Sequence, residues 1–434
     1  MINSGDTAWI LVSAALVLLM TPGLAFFYGG LVRHTEVVNT LKMSFIAMAV
    51  IAIEWAVVGY SLSFSINNAF IGGLDFVGLN GVGPEPMSTY APTIPHSAFM
   101  LFQMMFAVIT PALISGAIVG RMKFKAYVLF ITAWSLVVYN PLAHWVWGSG
   151  GWLRELGSLD FAGGTVVHIS AGVSAVVAAW ILGPRPNERN VESQPHNIPF
   201  VILGCSLLWF GWFGFNAGSA LSASGLASHA IVTTLLSAAA ATVVWTMLEM
   251  ATKGKASSVG AAIGAVVGLV AITPACGFVT PLAAIAIGAI GSVSSFLCLR
   301  LLNRSSVDDT LDVFACHGVG GIVGALLTGV FATKTVNEAG GDGLISGNWE
   351  LILAQLISVF AACGLAAGGT AVVMFAVKLI VGLRPSDDQL ALNKGIDRVE
   401  HGEEAYYMEG FLTTGRFPKY DTAIHASQDI TLIQ

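Results

Sequence analysis

Charge is what this sequence has least of. Only 10% of its 434 residues are Asp, Glu, Lys or Arg, against about 25% in soluble domains. That scarcity excludes a soluble globular enzyme. A basic excess is also missing: 19 Lys and Arg stand against 25 Asp and Glu, a net charge of −6, which argues against a nucleic-acid partner. Cysteine is sparse, with Cys205, Cys276, Cys298, Cys316 and Cys363 and no CxxC pair. Neither a disulfide framework nor a metal site follows, and each cysteine reads as a small core residue. Residues Met1 to Thr7 lack the positive charge of a signal peptide. The apolar run behind them is too long for a signal core, so it reads as a first membrane helix.

What the chain has in quantity is apolar sequence. It is 55% hydrophobic with 49 glycines and a mean hydropathy of +0.78, which rules out disorder and suits helices packed closely in a membrane. A spanning helix needs about 20 apolar residues. Eleven such stretches are predicted, near 8–31, 43–66, 97–120, 124–147, 161–182, 197–217, 228–251, 257–273, 279–301, 312–332 and 350–380. Two charge-free runs, Glu192 to Glu249 and Lys255 to Arg300, are long enough for two helices each. Gly-Ser and Pro-Gly segments supply the breaks.

The positive residues alternate between loops. Seventeen of the 19 Lys and Arg, from Arg33 to Lys419, fall on one side of the membrane, and only Arg154 and Lys334 on the other. The positive-inside rule puts the seventeen in the cytoplasm. The N-terminus is then extracellular or periplasmic and the C-terminus cytoplasmic, as an odd span count requires. The chain divides into a membrane domain, 1–383, and a polar tail, 384–434, too short for a second sizeable domain.

Ionisable groups within the membrane are functional candidates by default. His168 follows Asp160 by eight residues on the fifth helix, and His317 follows Asp309 and Asp312 on the tenth. At 1.5 Å per residue each histidine lies ~12 Å deep. The helices enter from opposite faces, which predicts an inverted repeat of helices 1–5 and 6–10, with the site at their interface and a long eleventh helix outside it. A lone buried histidine bonded to a carbonyl would be unremarked; the matched pair is harder to dismiss. A haem pair is disfavoured because each helix offers one histidine. Aromatics collect at the outer helix ends, in Phe102–Phe106, His144–Gly148 and Trp209–Ser219. An interfacial belt explains some of them. An indole face with a hydroxyl could also hold a small cation. Glu54 lies ~18 Å past Lys42 and reads as a carboxyl at a helix contact rather than in a wet cavity.

At these residues the chain closely resembles the ammonium transporters of the Amt/Mep/Rh superfamily, on the Amt side. The likeness runs from about Ala8 to Tyr406 and rests on Gly23–Val32, His144–Trp152, Asp160–Gly172, Trp209–Ser219 and Thr273–Gly277. The resemblance implies a homotrimer in the cell membrane that moves ammonium or ammonia, with methylammonium as an analogue and no cofactor or enzymatic step. Phe106, Trp147 and Ser219 would recruit NH4+ outside, with Asp160 shaping that site from below. Phe106 and Phe215 would gate a hydrophobic pore lined by His168, Trp212 and His317, through which NH3 passes with or without the proton. Gly395, Asp397, His401, Gly402 and Glu403 would belong to a regulatory tail where PII signal proteins can act. A sensor signalling through a partner and an Rh-type neutral gas channel are the alternatives. Glu54 and residues 407–434 depart from the family pattern.

The loop assignment makes a labelling prediction. Cysteines introduced at Ser88 and Ser346 should react with an impermeant reagent added outside intact cells, and one at Ser193 should not. Reaction of all three from one face would overturn the eleven-span topology.

Overall fold

A computed structural model describes residues 1–185, 195–392 and 395–406. Among them, ten helices are long and apolar enough to cross a membrane, and one shorter apolar helix completes the expected set. In chain order they are α1 (Ser4–Leu31), α2 (Val37–Phe64), α3 (His96–Ile118), α4 (124–147), α5 (Gly164–Leu182), α6 (Ile198–Gly218), α7 (Gly225–Lys253), α8 (Ser258–Ile272), α9 (Pro281–Leu302), α10 (Phe314–Phe331) and α11 (Trp349–Val381). Two short tail helices follow, α12 (Asp387–Leu392) and α13 (Ile396–His401). The chain is a multi-pass membrane protein.

Most boundaries fall where polar caps stop the apolar runs. Asn3, Asn197, Ser224, Ser257, Thr280 and Asn348 each accept a backbone N–H from the first turn of the helix that follows, the usual use of short polar side chains at a helix start. The start of one helix departs most from the sequence expectation. α2 begins at Val37 rather than near 43, because a tail carboxylate caps its first turn. α8 has only 15 residues, ~22 Å of helix. It stops short of a full bilayer crossing but is buried along most of its length. The turns at 273–279 continue its path, and Pro274 accepts a hydrogen bond from the Phe161 amide at 3.1 Å. Non-helical backbone at this depth is tolerated because protein surrounds it.

The two halves meet through their first and last helices. α1 lies along α6, and α5 crosses α10. Glycine permits that crossing. A side chain at Gly172 would collide with the backbone of Gly318, and a Cβ at Gly321 would lie 2.9 Å from the carbonyl of Gly164. Both crossing helices open with a π turn, Gly164–Ile169 in α5 and Phe314–Val319 in α10. Two further π turns interrupt α2 at Trp55–Gly59 and α4 at Ser135–Tyr139. Such turns re-aim side chains within a helix and recur at functional sites. The Gly- and Pro-rich loop after α2 carries a small antiparallel hairpin, β1 (Pro86–Met87) with β2 (Ala91–Pro95). It folds down so that Tyr90 stacks on Phe99 of α3 at 5.2 Å.

Candidate functional site

The two histidines meet. His168 and His317 bring their Nδ1 atoms within 3.2 Å, with ring centroids 5.3 Å apart and planes inclined by 25°. Both are buried, and each sits within the π turn that opens its helix. One Nδ1 must donate and the other accept, so the two rings hold complementary tautomers. His168 Nε2 is buried with no hydrogen-bond partner in the protein. Trp212 stacks on His168 at 5.4 Å, and its indole N–H donates to Thr273 Oγ1 at 2.9 Å. Together with Leu24, Leu113, Phe215 and Val266 these rings line a narrow apolar cavity. Its room for the centre of a water-sized molecule is about 10 Å3, roughly that of a single water.

Upstream, the carboxylates set these turns. Asp160 Oδ1 accepts from the amides of Gly163 and Gly164 at 2.8 and 2.7 Å, and Oδ2 from those of Thr165 and Val166 at 2.8 and 3.1 Å. Four orphan donors at a helix start are thereby satisfied. The turn requires a left-handed residue, and Gly163 supplies it at φ +113°. In α10 the counterpart is Asp309, whose Oδ2 accepts from the Phe314 amide at 2.7 Å, five residues on, just as Asp160 reaches Thr165. Asp312, nearer in sequence to His317, instead occupies the turn itself at φ +57°. The repeat is thus Asp160 to His168 against Asp309 to His317, eight residues each.

Above the histidines lies a second cavity, of about 220 Å3. Phe106, Trp147 and Ser219 line it together. The Trp147 indole N–H donates to the Asp160 carbonyl at 2.9 Å, which fixes the ring plane. Ser219 caps α6 and its hydroxyl donates to the Phe215 carbonyl at 2.9 Å, leaving its oxygen lone pairs available. Gln103, Tyr90 and Arg154 also line this cavity, and the sequence reading missed them. They come from a helix, a loop and a four-residue turn of helix, so no periodicity links them. Arg154 donates to the Trp147 carbonyl at 2.8 Å and lies over the Tyr90 ring at 6.0 Å. Phe106 and Phe215 separate the two cavities. Their centroids are 4.3 Å apart and both are about 1% exposed.

The family model for the Ammonium Transporter Family matches residues 8–406. The chain belongs to that family. It is 48% identical to an ammonium transporter of Bacillus subtilis over 403 residues, which cover 93% of this chain and 98% of that one. It is 47% identical to an ammonium transporter of Aquifex aeolicus, covering 93% and 94%. Among solved structures it is similar to Mep2 of Candida albicans, with a TM-score of 0.86 at 32% identity over 94% of each chain. It is also similar to Mep2 of Saccharomyces cerevisiae, at 0.83 and 36% over 89% and 88%. A sensor Amt protein aligns at 0.82 with 28% identity over 89% and 96%. This is a family of transporters rather than of enzymes. Among the described residues, no group of three or more His, Cys, Asp or Glu is placed to hold a metal ion.

The described part of the tail lies on the face where α2 begins. Asp397 Oδ1 and Oδ2 accept from the amides of Asn39 and Val38 at 2.8 and 3.0 Å. Burial pushes this carboxyl up to about 6, against the pull of those amides. Gly395, at φ +126°, packs where a side chain would strike Thr35. His401 receives Lys42 Nζ at Nδ1, 3.2 Å, and lies 3.0 Å from Asn39 Oδ1 through Nε2. Burial and the Lys42 charge hold its pKa below the usual value, in keeping with a neutral ring protonated at Nε2. Gly402 ends α13 in the left-handed conformation at φ +67°. Glu403 is exposed. Tyr406 reaches His196, just before α6, at 3.1 Å. Residues 407–434, and Lys394 within the tail, lie outside the described residues.

Proposed function

We propose that this chain takes up ammonium by binding NH4+ in the outer cavity, releasing its proton to the water there and conducting NH3, with or without that proton, along the histidine-lined pore. The observation that carries the reading is the contrast across the Phe106–Phe215 pair. The outer cavity offers an indole, a phenyl ring and a hydroxyl. The inner one is apolar apart from two imidazoles and an indole N–H already bonded to Thr273.

Ammonium and potassium are similar in size and equal in charge, so a charged filter would pass both. Cation–π contact with Trp147 and Phe106, and the Ser219 oxygen, bind NH4+ without a full countercharge. The Asp160 carboxylate, committed to four amides, shapes this site by orienting Trp147 through its carbonyl. Crossing the phenyl pair strips water, which favours the neutral form of a titratable molecule. Ammonia can then cross a dry lumen that potassium cannot. His168 and His317 offer it hydrogen bonds at mid-pore. The nearer relatives by sequence are named transporters, which weighs against the sensor reading.

In this reading three copies assemble in the cell membrane, with the α2 start and the tail in the cytoplasm. The membrane domain is 1–383. Gly395, Asp397, His401, Gly402 and Glu403 form a regulatory tail, 384–434, that transmits PII binding to the pore. Its contacts with the starts of α2 and α4 and with His196 support that coupling.

Current on a supported membrane during an ammonium pulse tests the function. Net charge movement would show that the proton crosses with the ammonia, flux without current that it stays in the outer water, and an absence of both would overturn the reading. In the same assay, Trp147→Leu should raise the half-saturating ammonium concentration roughly 2- to 30-fold, the equivalent of a lost cation–π contact.

Selectivity should depend on the histidines. His168→Asp places at mid-pore a carboxylate that favours a cation staying charged. It should admit potassium-driven current into proteoliposomes while size exclusion still reports a trimer. An intact mutant that conducts ammonium and rejects potassium would remove the histidines as the selectivity element.

For the tail, deletion of 384–434 should abolish co-purification with a PII protein and change flux. Undiminished PII binding by the truncated chain would refute the coupling.

A further inference from the structure

Glu54 lines neither cavity, yet it is a carboxyl buried to 7% exposure on a membrane helix. Such a group is costly unless its oxygens are hydrogen-bonded. Both are: Oε2 accepts from Ser135 Oγ at 3.0 Å and Oε1 from Asn140 Nδ2 at 2.8 Å. Ser135 opens the π turn of α4, and Asn140 is the first residue beyond it. Glu54 itself immediately precedes the π turn of α2. The last residue of that turn is Gly59, where a Cβ would lie 2.8 Å from Glu54 Oε1 and 3.1 Å from Asn140 Nδ2. The carboxyl therefore spans the two helices where each departs from α-helical winding.

What lies beyond that point on α4 matters. Asn140, His144 and Trp147 are spaced i, i+4, i+7 and share one face of the outer segment Asn140–Trp147. His144 ties the face to the end of α2 and the loop after it, with its ring nitrogens 3.0 Å from the Ser63 carbonyl and 2.7 Å from that of Asn68. Asn140 ties it to Glu54. Trp147 is the one residue of the three that reaches the outer cavity. The Glu54 bridge holds the inner end of this segment, while at its outer end the Trp147 indole N–H is held by the Asp160 carbonyl. An apolar side chain of similar size would fill the space without desolvating a carboxyl, but would leave the π turn of α4 without a fixed partner.

We propose that Glu54 is a positioning residue for ammonium recruitment, bridging the π turns of α2 and α4 so that the outer segment of α4 presents Trp147 to the cavity. This rests on the reading of Trp147 as part of the cation site. The bridge needs an acceptor for Asn140 and a partner for Ser135, not a charge. A glutamine supplies both, because its carbonyl accepts from Asn140 and its amide donates to the serine hydroxyl.

The test is methylammonium uptake into proteoliposomes, with half-saturation and maximal rate measured separately. The variants are E54Q, E54A, W147L and the E54A/W147L double. E54A is expected to raise half-saturation about three- to tenfold with maximal rate within about twofold, within the span of losing the ring contact. E54Q should restore the wild-type value. On the W147L background, E54A should add less than twofold, because the tryptophan through which it acts is gone. If E54A is not recovered folded, N140A removes the other end of the bridge and carries the same expectation. The proposal is overturned if E54A or N140A leaves half-saturation unchanged while W147L raises it. It is equally overturned if E54Q behaves as E54A, which would assign the effect to charge, or if the effects of E54A and W147L simply multiply. Unchanged half-saturation in W147L itself would instead remove the recruitment reading on which the bridge depends.

Discussion

The structure depends on one crossing. α5 and α10 approach so closely that a Cβ at Gly172 would strike the Gly318 backbone and one at Gly321 would crowd the Gly164 carbonyl. Two imidazoles on opposed helices therefore come to lie side by side. A wider crossing would separate the rings and open a lumen that water could fill. The crossing in turn requires that each helix begin abruptly within the protein, with its first amides satisfied away from solvent. Asp160 does this for α5 with four hydrogen bonds, and Asp309 for α10. Carboxylates that look like ligands by position are thus used up as caps, and the cavity above Asp160 is lined instead by aromatic faces, a hydroxyl and the polar Gln103 and Arg154.

Much of this was legible in the chain because the membrane simplifies the code. With 10% charged residues, each Lys or Arg marks a loop or the end of a helix, and eleven helices were countable from their alternation. The same rarity singled out His168, His317 and Glu54. Phe106, Trp147 and Ser219 could be grouped only through family resemblance, and they do share one cavity. Arg154, Tyr90 and Gln103 carry no local signal, since each reaches the cavity from a different element.

What could not be read is governed by long-range pairing and by backbone geometry. The start of α2 was placed too late because its cap, Asp397, lies 358 residues from the amide it receives at Asn39. The partner of Asp160 was ambiguous between Asp309 and Asp312. A left-handed turn at Asp312, to which an L-residue gives no sequence signature, decides which carboxylate faces the helix start. The π turns were invisible for a similar reason: one extra residue in a helical turn does not disturb an apolar run with no polar face to keep in phase.

The phenyl pair has an electrical consequence. An aqueous vestibule conducts ions and sustains little potential difference, whereas a dry constriction sustains nearly all of it. In the proposed reading the stretch from Phe106 and Phe215 inward past the histidines is such a constriction, and the membrane voltage would fall chiefly across it rather than across the full thickness of the bilayer. A charge moved through that stretch works against about 2.3 kcal/mol per 100 mV, and a charge moving only within the outer cavity feels almost none. In that reading, NH4+ held at Trp147 lies outside the constriction and feels little of the membrane potential, so any voltage sensitivity of transport would arise between the phenyl rings and the histidines.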